Sequence, residues 1–241
     1  NCAPMTCVAG QCMSGGGATT CADAEASRSY LGCEYWPVDL DNAVEVNGTE
    51  FFPGLGCPDP AGGAGFVPAV SMPVCNQGGV LAGLCDYGMS CADSAGYTCQ
   101  TMNICALNAQ KSPFAIVVSN PQPTAVSVTL TSATGQTVTD MVAPGQVKAL
   151  FPQQLGLADQ SLDFSGIEAK AYKLVSTAPI VAYQFNPLDN VGVFSNDASL
   201  LIPAHAYDLD YTGVSYKTLV RRPLKNDYNG YVTVVASGIA S

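Results

Sequence analysis

Eleven cysteines and one histidine are the side chains best suited to chemistry in this 241-residue sequence, and their placement is lopsided. Cys2, Cys7, Cys12, Cys21, Cys33, Cys57, Cys75, Cys85, Cys91, Cys99 and Cys105 all precede residue 106, and the rest of the chain has none. A cysteine can act as a nucleophile, a metal ligand or a cross-link. A nucleophile needs a base beside it. The single histidine, His205, lies in the apolar run Pro203-Ala204-His205-Ala206, where a packed or capping side chain is expected. Structural zinc sites usually draw two thiolates from one tight C-x2-4-C turn and two from another. The spacings here are Cys2-x4-Cys7-x4-Cys12, and later Cys85-x5-Cys91-x7-Cys99-x5-Cys105, without any C-x-x-C pair or second knuckle. The lack of C-x-x-C-H also excludes covalent haem attachment. Disulfides are the expected state, each contributing about 2–4 kcal/mol. They place the protein in an oxidising setting, extracellular or on the outer cell surface. Because eleven is odd, one cysteine is expected to be unpaired within the chain. Its partner would lie upstream of Asn1 or in another chain, or the thiol would be buried and free.

The elements carrying these residues divide at residue 110. Residues 1–110 read as a cysteine-rich, disulfide-stapled region, with small polar residues, Gly15-Gly16-Gly17, and at most a brief helical turn over 22–27. Tyr35, Val44 and Val46 suggest short strands, broken by Pro37 and an Asn47-Gly48 turn, and the Pro/Gly-rich stretch 53–65 reads as loop. Residues 111–241 change texture. Val126, Val128 and Leu130 alternate with Ser127, Thr129 and Thr131, the pattern of a half-buried antiparallel strand. Further strands are expected at 114–118, 137–143, 147–151, 172–175, 180–185, 191–194, 200–202 and 231–236. Such spacing, with turn chemistry between runs, predicts an all-β chain: a disulfide-rich front followed by an antiparallel β-sandwich, immunoglobulin-like or jelly-roll-like. The run 231–236 calls for a partner strand, so the sandwich is expected to be truncated at its C-terminal end or to pair with a neighbouring molecule. Asn1 in place of Met suggests a mature or trimmed chain.

The net charge of −10 is unevenly placed. Residues 1–110 carry ten acids against one base, Arg28, whereas 111–241 carry nine acids and eight bases. Such a surface repels phosphate backbones and anionic membranes, which argues against nucleic-acid binding. No run of eighteen apolar residues offers a membrane span.

Two segments carry a resemblance. Gly32-Cys33-Glu34-Tyr35-Trp36-Pro37-Val38-Asp39-Leu40-Asp41-Asn42 is one; Ile180-Val181-Ala182-Tyr183-Gln184-Phe185-Asn186-Pro187, continuing through Ser195-Asn196-Asp197-Ala198-Ser199-Leu200-Leu201, is the other and the more specific. They resemble secreted or lipid-anchored cysteine-rich proteins of myxobacteria that carry a region similar to the amino-terminal domain of IgGFc-binding protein. The resemblance implies a β-rich module at the cell surface. It supplies no catalytic or binding residues, and the antibody-binding activity is not carried over.

Other candidate sites come from local chemistry. Asp189, Asn190, Asn196 and Asp197 bracket the short run 191–194, and such oxygen-rich turns are weak calcium candidates, calcium being the one cofactor these residues suggest. The same residues serve simply as turn formers. Asp39 and Asp41 are a lesser oxygen pair. Trp36 with Tyr35 could stack on a sugar, although a lone tryptophan between cysteines is expected in a core. Asn47-Gly48-Thr49 is a formal glycosylation acceptor that the turn explains. No G-x-S-x-G elbow, P-loop or dinucleotide fingerprint occurs. The expectation is a non-enzymatic protein of adhesion or ligand recognition, meeting a surface protein, a glycan or copies of itself. A structural subunit of an extracellular filament or sheath is the alternative, and a secreted hydrolase the third reading.

Overall fold

The computed structural model describes residues 6–8, 11–13, 18–27, 29–40, 44–46, 56–58, 66–67, 69–85, 89–91, 95–108, 113–162, 166–188, 197–215, 219–221, 226–228 and 230–237. Its described elements are overwhelmingly strands, and the fold is all-β with a disulfide-rich front. In chain order the front contains β1 (Thr6–Val8), β2 (Gln11–Met13), α1 (Cys21–Ser27), β3 (Gly32–Tyr35), β4 (Val44–Val46), β5 (Cys57–Pro58), β6 (Phe66–Val67), β7 (Val70–Gln77), β8 (Val80–Leu84), β9 (Thr98–Ile104) and β10 (Ala106–Asn108). Helix α1 starts at a reciprocal cap: Asp23 N–H donates to Thr20 Oγ1 (3.2 Å), and Thr20 N–H donates to the Asp23 carboxylate (3.1 Å). That arrangement satisfies donors which a helix start otherwise leaves open.

Strands β8, β7 and β9 form an antiparallel sheet in that order. Gly78 and Gly79 join β7 to β8 with φ of 58° and 90°, a two-residue turn whose left-handed backbone glycine adopts without a Cβ clash. Val74, Leu81 and Ile104 make a small apolar cluster, while Cys75, Ala82 and Cys85 gather separately with Cys91 and Cys99. Four disulfides are present among the described residues: Cys21–Cys33, Cys57–Cys105, Cys75–Cys91 and Cys85–Cys99. The side chains of Cys2, Cys7 and Cys12 lie outside the described residues, although β1 and β2 set Cys7 opposite Cys12.

The back of the chain contributes β11 (Ala115–Ser119), β12 (Val126–Thr131), β13 (Thr137–Val142), β14 (Val147–Leu150), β15 (Lys173–Asn186), β16 (Asp197–Leu200), a 3-10 turn at Ala204–Ala206, β17 (Leu219–Arg221) and β18 (Asn226–Tyr228). Strand β15 organises them. Its first half pairs with β12 on one side and β3 on the other, and its second half with β11 and β16. Two four-stranded layers, β13-β12-β15-β3 and β14-β11-β15-β16, thus share one strand. The sequence suggests separate strands at 172–175 and 180–185; they are one strand of 14 residues whose register shifts between Val175 and Ile180. A bulge of this kind bends a strand, and Pro179, which cannot donate to a ladder, lies within it.

The even-numbered residues of β15 face inward with little interruption, and Leu174, Ile180 and Ala182 meet Ile116, Val118, Val126, Val128, Leu130 and Leu150 in the main core. Phe114 and Tyr172 stack with ring centroids 6.0 Å apart. Asn120, fully buried, donates through Nδ2 to the carbonyls of Thr124, Val142 and Ala143 and accepts from Gln122 N–H, closing the loop ends that surround it.

The front segment 18–40 belongs to the sandwich, across the division drawn at residue 110. Strand β3 pairs with β15, and Tyr35 is fully buried in the main core. Gln122 Nε2 donates to Ala18 O (3.1 Å), Tyr172 N–H to Pro37 O (2.9 Å) and Leu162 N–H to Asp39 O (3.0 Å). Gly32 makes this docking possible, because a Cβ there would lie 2.3 Å from Pro203 Cβ. The strand expected at 200–202 is displaced to Asp197–Leu200. Residues 231–236 are not in a strand, and 191–194 lie outside the described residues.

Two core tyrosines set the alkaline limit of the fold. Burial pushes the Tyr172 phenol up to about 12, with Asp39 and Asp159 adding repulsion to its ionised form. Burial also raises the Tyr35 phenol well above its ordinary range. Below pH about 10 both groups are protonated folded or unfolded, so they impose no penalty. Above that the unfolded chain ionises first, so stability is expected to fall as pH rises from about 10 to 12. Chemical denaturation across this range would show a falling midpoint, less steep in Tyr172→Phe. A midpoint constant to pH 12 would contradict the assignment.

Candidate functional site

Strands β3 and β16 are the edges of the two layers on the same flank of β15, and a groove of about 340 Å³ lies on that flank. One wall is the run Ser199, Leu200, Leu201 and Ile202, which continues β16. Another is Trp36, Val38 and Leu40, with Tyr207 and Tyr231 beside them. The walls are built by the sandwich itself. Leu201 N–H donates to Ala182 O (2.9 Å), extending the β15 pairing one step past β16. Val38 N–H donates to Gln184 Oε1 (3.1 Å), and Asn186 Nδ2 donates to Leu40 O (2.6 Å), anchoring residues 36–40 to the inward face of β15.

Trp36 is held in orientation. Its Nε1–H donates to Glu34 Oε1 at 2.9 Å. Lys173 Nζ lies 3.0 Å from Glu34 Oε2 and 5.3 Å from the centre of the indole ring. A cation so placed over an aromatic face contributes about 0.5–1 kcal/mol at an exposed site. Burial, reinforced by Tyr211 and Glu34, raises the Tyr207 phenol above its ordinary range. Such a surface suits recognition: apolar and aromatic area for contact, with a few fixed polar atoms for orientation.

Residues 230–237 run beside the groove. Tyr231, Thr233 and Val235 line it, whereas Val232 and Val234 are 56% and 83% exposed. Leu209 and Val214 are also exposed, and a Cβ on Gly213 would lie 3.3 Å from Val232 Cγ1.

A second hollow of about 370 Å³ is lined by Cys21, Cys33, Glu25, Glu34, Val175, Ser176, Ala204 and His205. The histidine thus lies near two cysteines that are remote in sequence. Those cysteines are bonded to each other, so neither offers a thiolate to a base. His205 packs beside Gly32, as expected of a packed side chain, but its Nε2 is buried without a hydrogen-bond partner.

Among the calcium candidates, Asp189, Asn190 and Asn196 lie outside the described residues. Asp197 begins the exposed strand β16, opposite Asn186. Asp39 is buried and Asp41 is outside the described residues, as are Asn47, Gly48 and Thr49. Trp36, expected in a core, is half-buried on the groove, and its neighbour Tyr35 takes the core position. The groove contributions of Tyr207, Leu200 and Ile202, and the clamp from Glu34 and Lys173, have no sequence motif. The available signal was adjacency in an extended run, in which neighbouring side chains such as those of Tyr35 and Trp36 tend to opposite sides. The chain matches no protein family, no curated protein and no solved structure.

Proposed function

We propose that this is a non-enzymatic protein of the extracellular space or outer cell surface, acting in adhesion or ligand recognition. Its ligand is an extended, apolar segment of a partner protein, laid along β16 and into the flank groove. One observation carries the reading: an edge strand without a second strand partner among the described residues borders a groove of apolar and aromatic side chains. Peptides captured at sheet edges use main-chain hydrogen bonds for affinity and side-chain pockets for specificity. Four disulfides fit an oxidising compartment, and among the described residues no helix is long and apolar enough to cross a membrane. The resemblance of residues 32–42 and 180–201 to surface-protein modules supports the same location.

Arrays of extended peptides and of oligosaccharides test the reading. Binding to peptides with alternating apolar residues, weakened at least tenfold by Trp36→Ala, is expected. Binding confined to oligosaccharides, or indifferent to Trp36→Ala, overturns it.

A structural-subunit role is favoured by a separate feature. The segment 230–237 presents Val232 and Val234 to solvent, an apolar face that a neighbouring copy would cover. Concentration-dependent sedimentation, abolished by Val234→Lys, would support that role.

A further inference from the structure

We propose that residues 230–237 are an internal competitor for the flank groove, a strap lying where part of the partner's segment binds. The inference rests on the peptide-capture reading above and adds the regulation of that site. Three observations meet in this segment. Its sequence, Tyr231-Val232-Thr233-Val234-Val235-Ala236, has the aromatic and β-branched composition of a strand. In the structure these residues nevertheless belong to no strand. Every second one, Tyr231, Thr233 and Val235, lines the groove that Trp36 and Leu200 also line. The chain thus carries beside its own groove a piece of the chemistry expected of the partner.

The strap is held loosely enough to be exchanged. None of residues 230–237 is buried, and Tyr231, Val232 and Val234 keep 61%, 56% and 83% of their surface exposed. Few buried contacts therefore resist its release. A permanent wall would be tied by strand pairing or by a buried face, and this segment has neither. With the strap in place, Leu200 and Ile202 of the opposing wall are still 44% and 52% exposed, which leaves apolar area for an incoming segment to cover.

The consequence is a threshold for binding. A tethered competitor is not diluted, and the apparent affinity for a free peptide falls by the fraction of molecules in which the groove is open. A partner that adds main-chain hydrogen bonds along β16 to its groove contacts displaces the strap. One that offers side-chain contacts alone does not. Residues 230–237 carry no charge, so the exchange is expected to be insensitive to salt.

The test uses the full 241-residue chain, with the octapeptide of residues 230–237, Gly-Tyr-Val-Thr-Val-Val-Ala-Ser, as the probe. Thr233→Asp with Val235→Asp expels the strap, and neither side chain is buried, so the sandwich is left intact. Val147→Asp with Ile167→Asp adds the same charge at two exposed positions outside the groove lining. Acrylamide quenching of Trp36 is expected to rise at least twofold in the strap variant. The octapeptide should bind that variant at least tenfold more tightly than the native chain or the control, and reverse the quenching. Equal octapeptide affinity for the native chain and the strap variant overturns the proposal. Weaker binding to the variant also overturns it, because residues 230–237 would then be a supporting wall. In both cases, array peptides that bind the native chain leave the peptide-capture reading standing. If neither the octapeptide nor any array peptide binds any of the three proteins, that reading falls too.

Discussion

Tyr35→Ala is expected to destabilise the fold by about 3–5 kcal/mol, the range for deleting a buried aromatic side chain. Tyr35 is fully buried in the main core, and its hydroxyl lies against the carbonyl oxygens of Tyr30 and Ile180. The substitution therefore opens a cavity and leaves carbonyls unpaired where β3 docks on β15. Tyr35→Phe separates these contributions, because it keeps the ring and removes only the hydroxyl, at a cost of about 1–2 kcal/mol. Denaturant titrations of the three proteins would measure both differences. If Tyr35→Ala cost less than Tyr35→Phe is expected to cost, residues 29–35 would not be part of the sandwich.

Removing the Cys57–Cys105 bridge as a serine pair is expected to cost about 4 kcal/mol. This bridge spans 48 residues, against 14 for Cys85–Cys99, whose loss is expected to cost about 3 kcal/mol. The difference arises in the unfolded chain, where a longer closed loop excludes more conformations. Both cysteines are also 3% exposed, so the serine hydroxyls would add a burial penalty in the same direction. Thermal unfolding of the two serine-pair proteins would order them, with the Cys57 and Cys105 variant melting lower. The reverse order would show that native packing, rather than loop closure, governs the front.

The strands most legible in the sequence were those with one wet face. Residues 126–131 alternate apolar and polar in sequence and buried and half-buried in space, and a short turn joins them to β13. Helix α1 was legible only as a brief turn over 22–27; the structure extends it to Cys21–Ser27 behind the cap made by Thr20 and Asp23. Long-range pairing was not legible. Tyr35 and Ile180 meet across 145 residues, and nothing in the local spacing of either segment encodes the other. Pro179 made one bent strand look like two, since proline in a central strand ordinarily marks its end. The cysteines revealed their cross-linking as a class, but which partners they take is decided by strand register. Trp36 was misread for a related reason. A lone tryptophan between cysteines suggests a core, yet Tyr35 ends β3 in that position and Trp36, just past the strand, falls on the groove. The groove was the least legible feature, because its walls come from residues 36–40, 199–202 and 231–235, which only the folded sandwich brings together.

The edge of β16, which has no second strand partner among the described residues, and the groove beside it are proposed to seat an extended segment. Amide hydrogen exchange over residues 197–202 tests this most directly, with and without the tightest peptide selected from a ten-residue display library. Edge pairing predicts slowed exchange at alternate amides of this stretch, a shift in the emission of Trp36, the only tryptophan, and loss of both in Leu200→Asp. Protection confined to another part of the chain, or a bound peptide that leaves residues 197–202 unchanged, would contradict it.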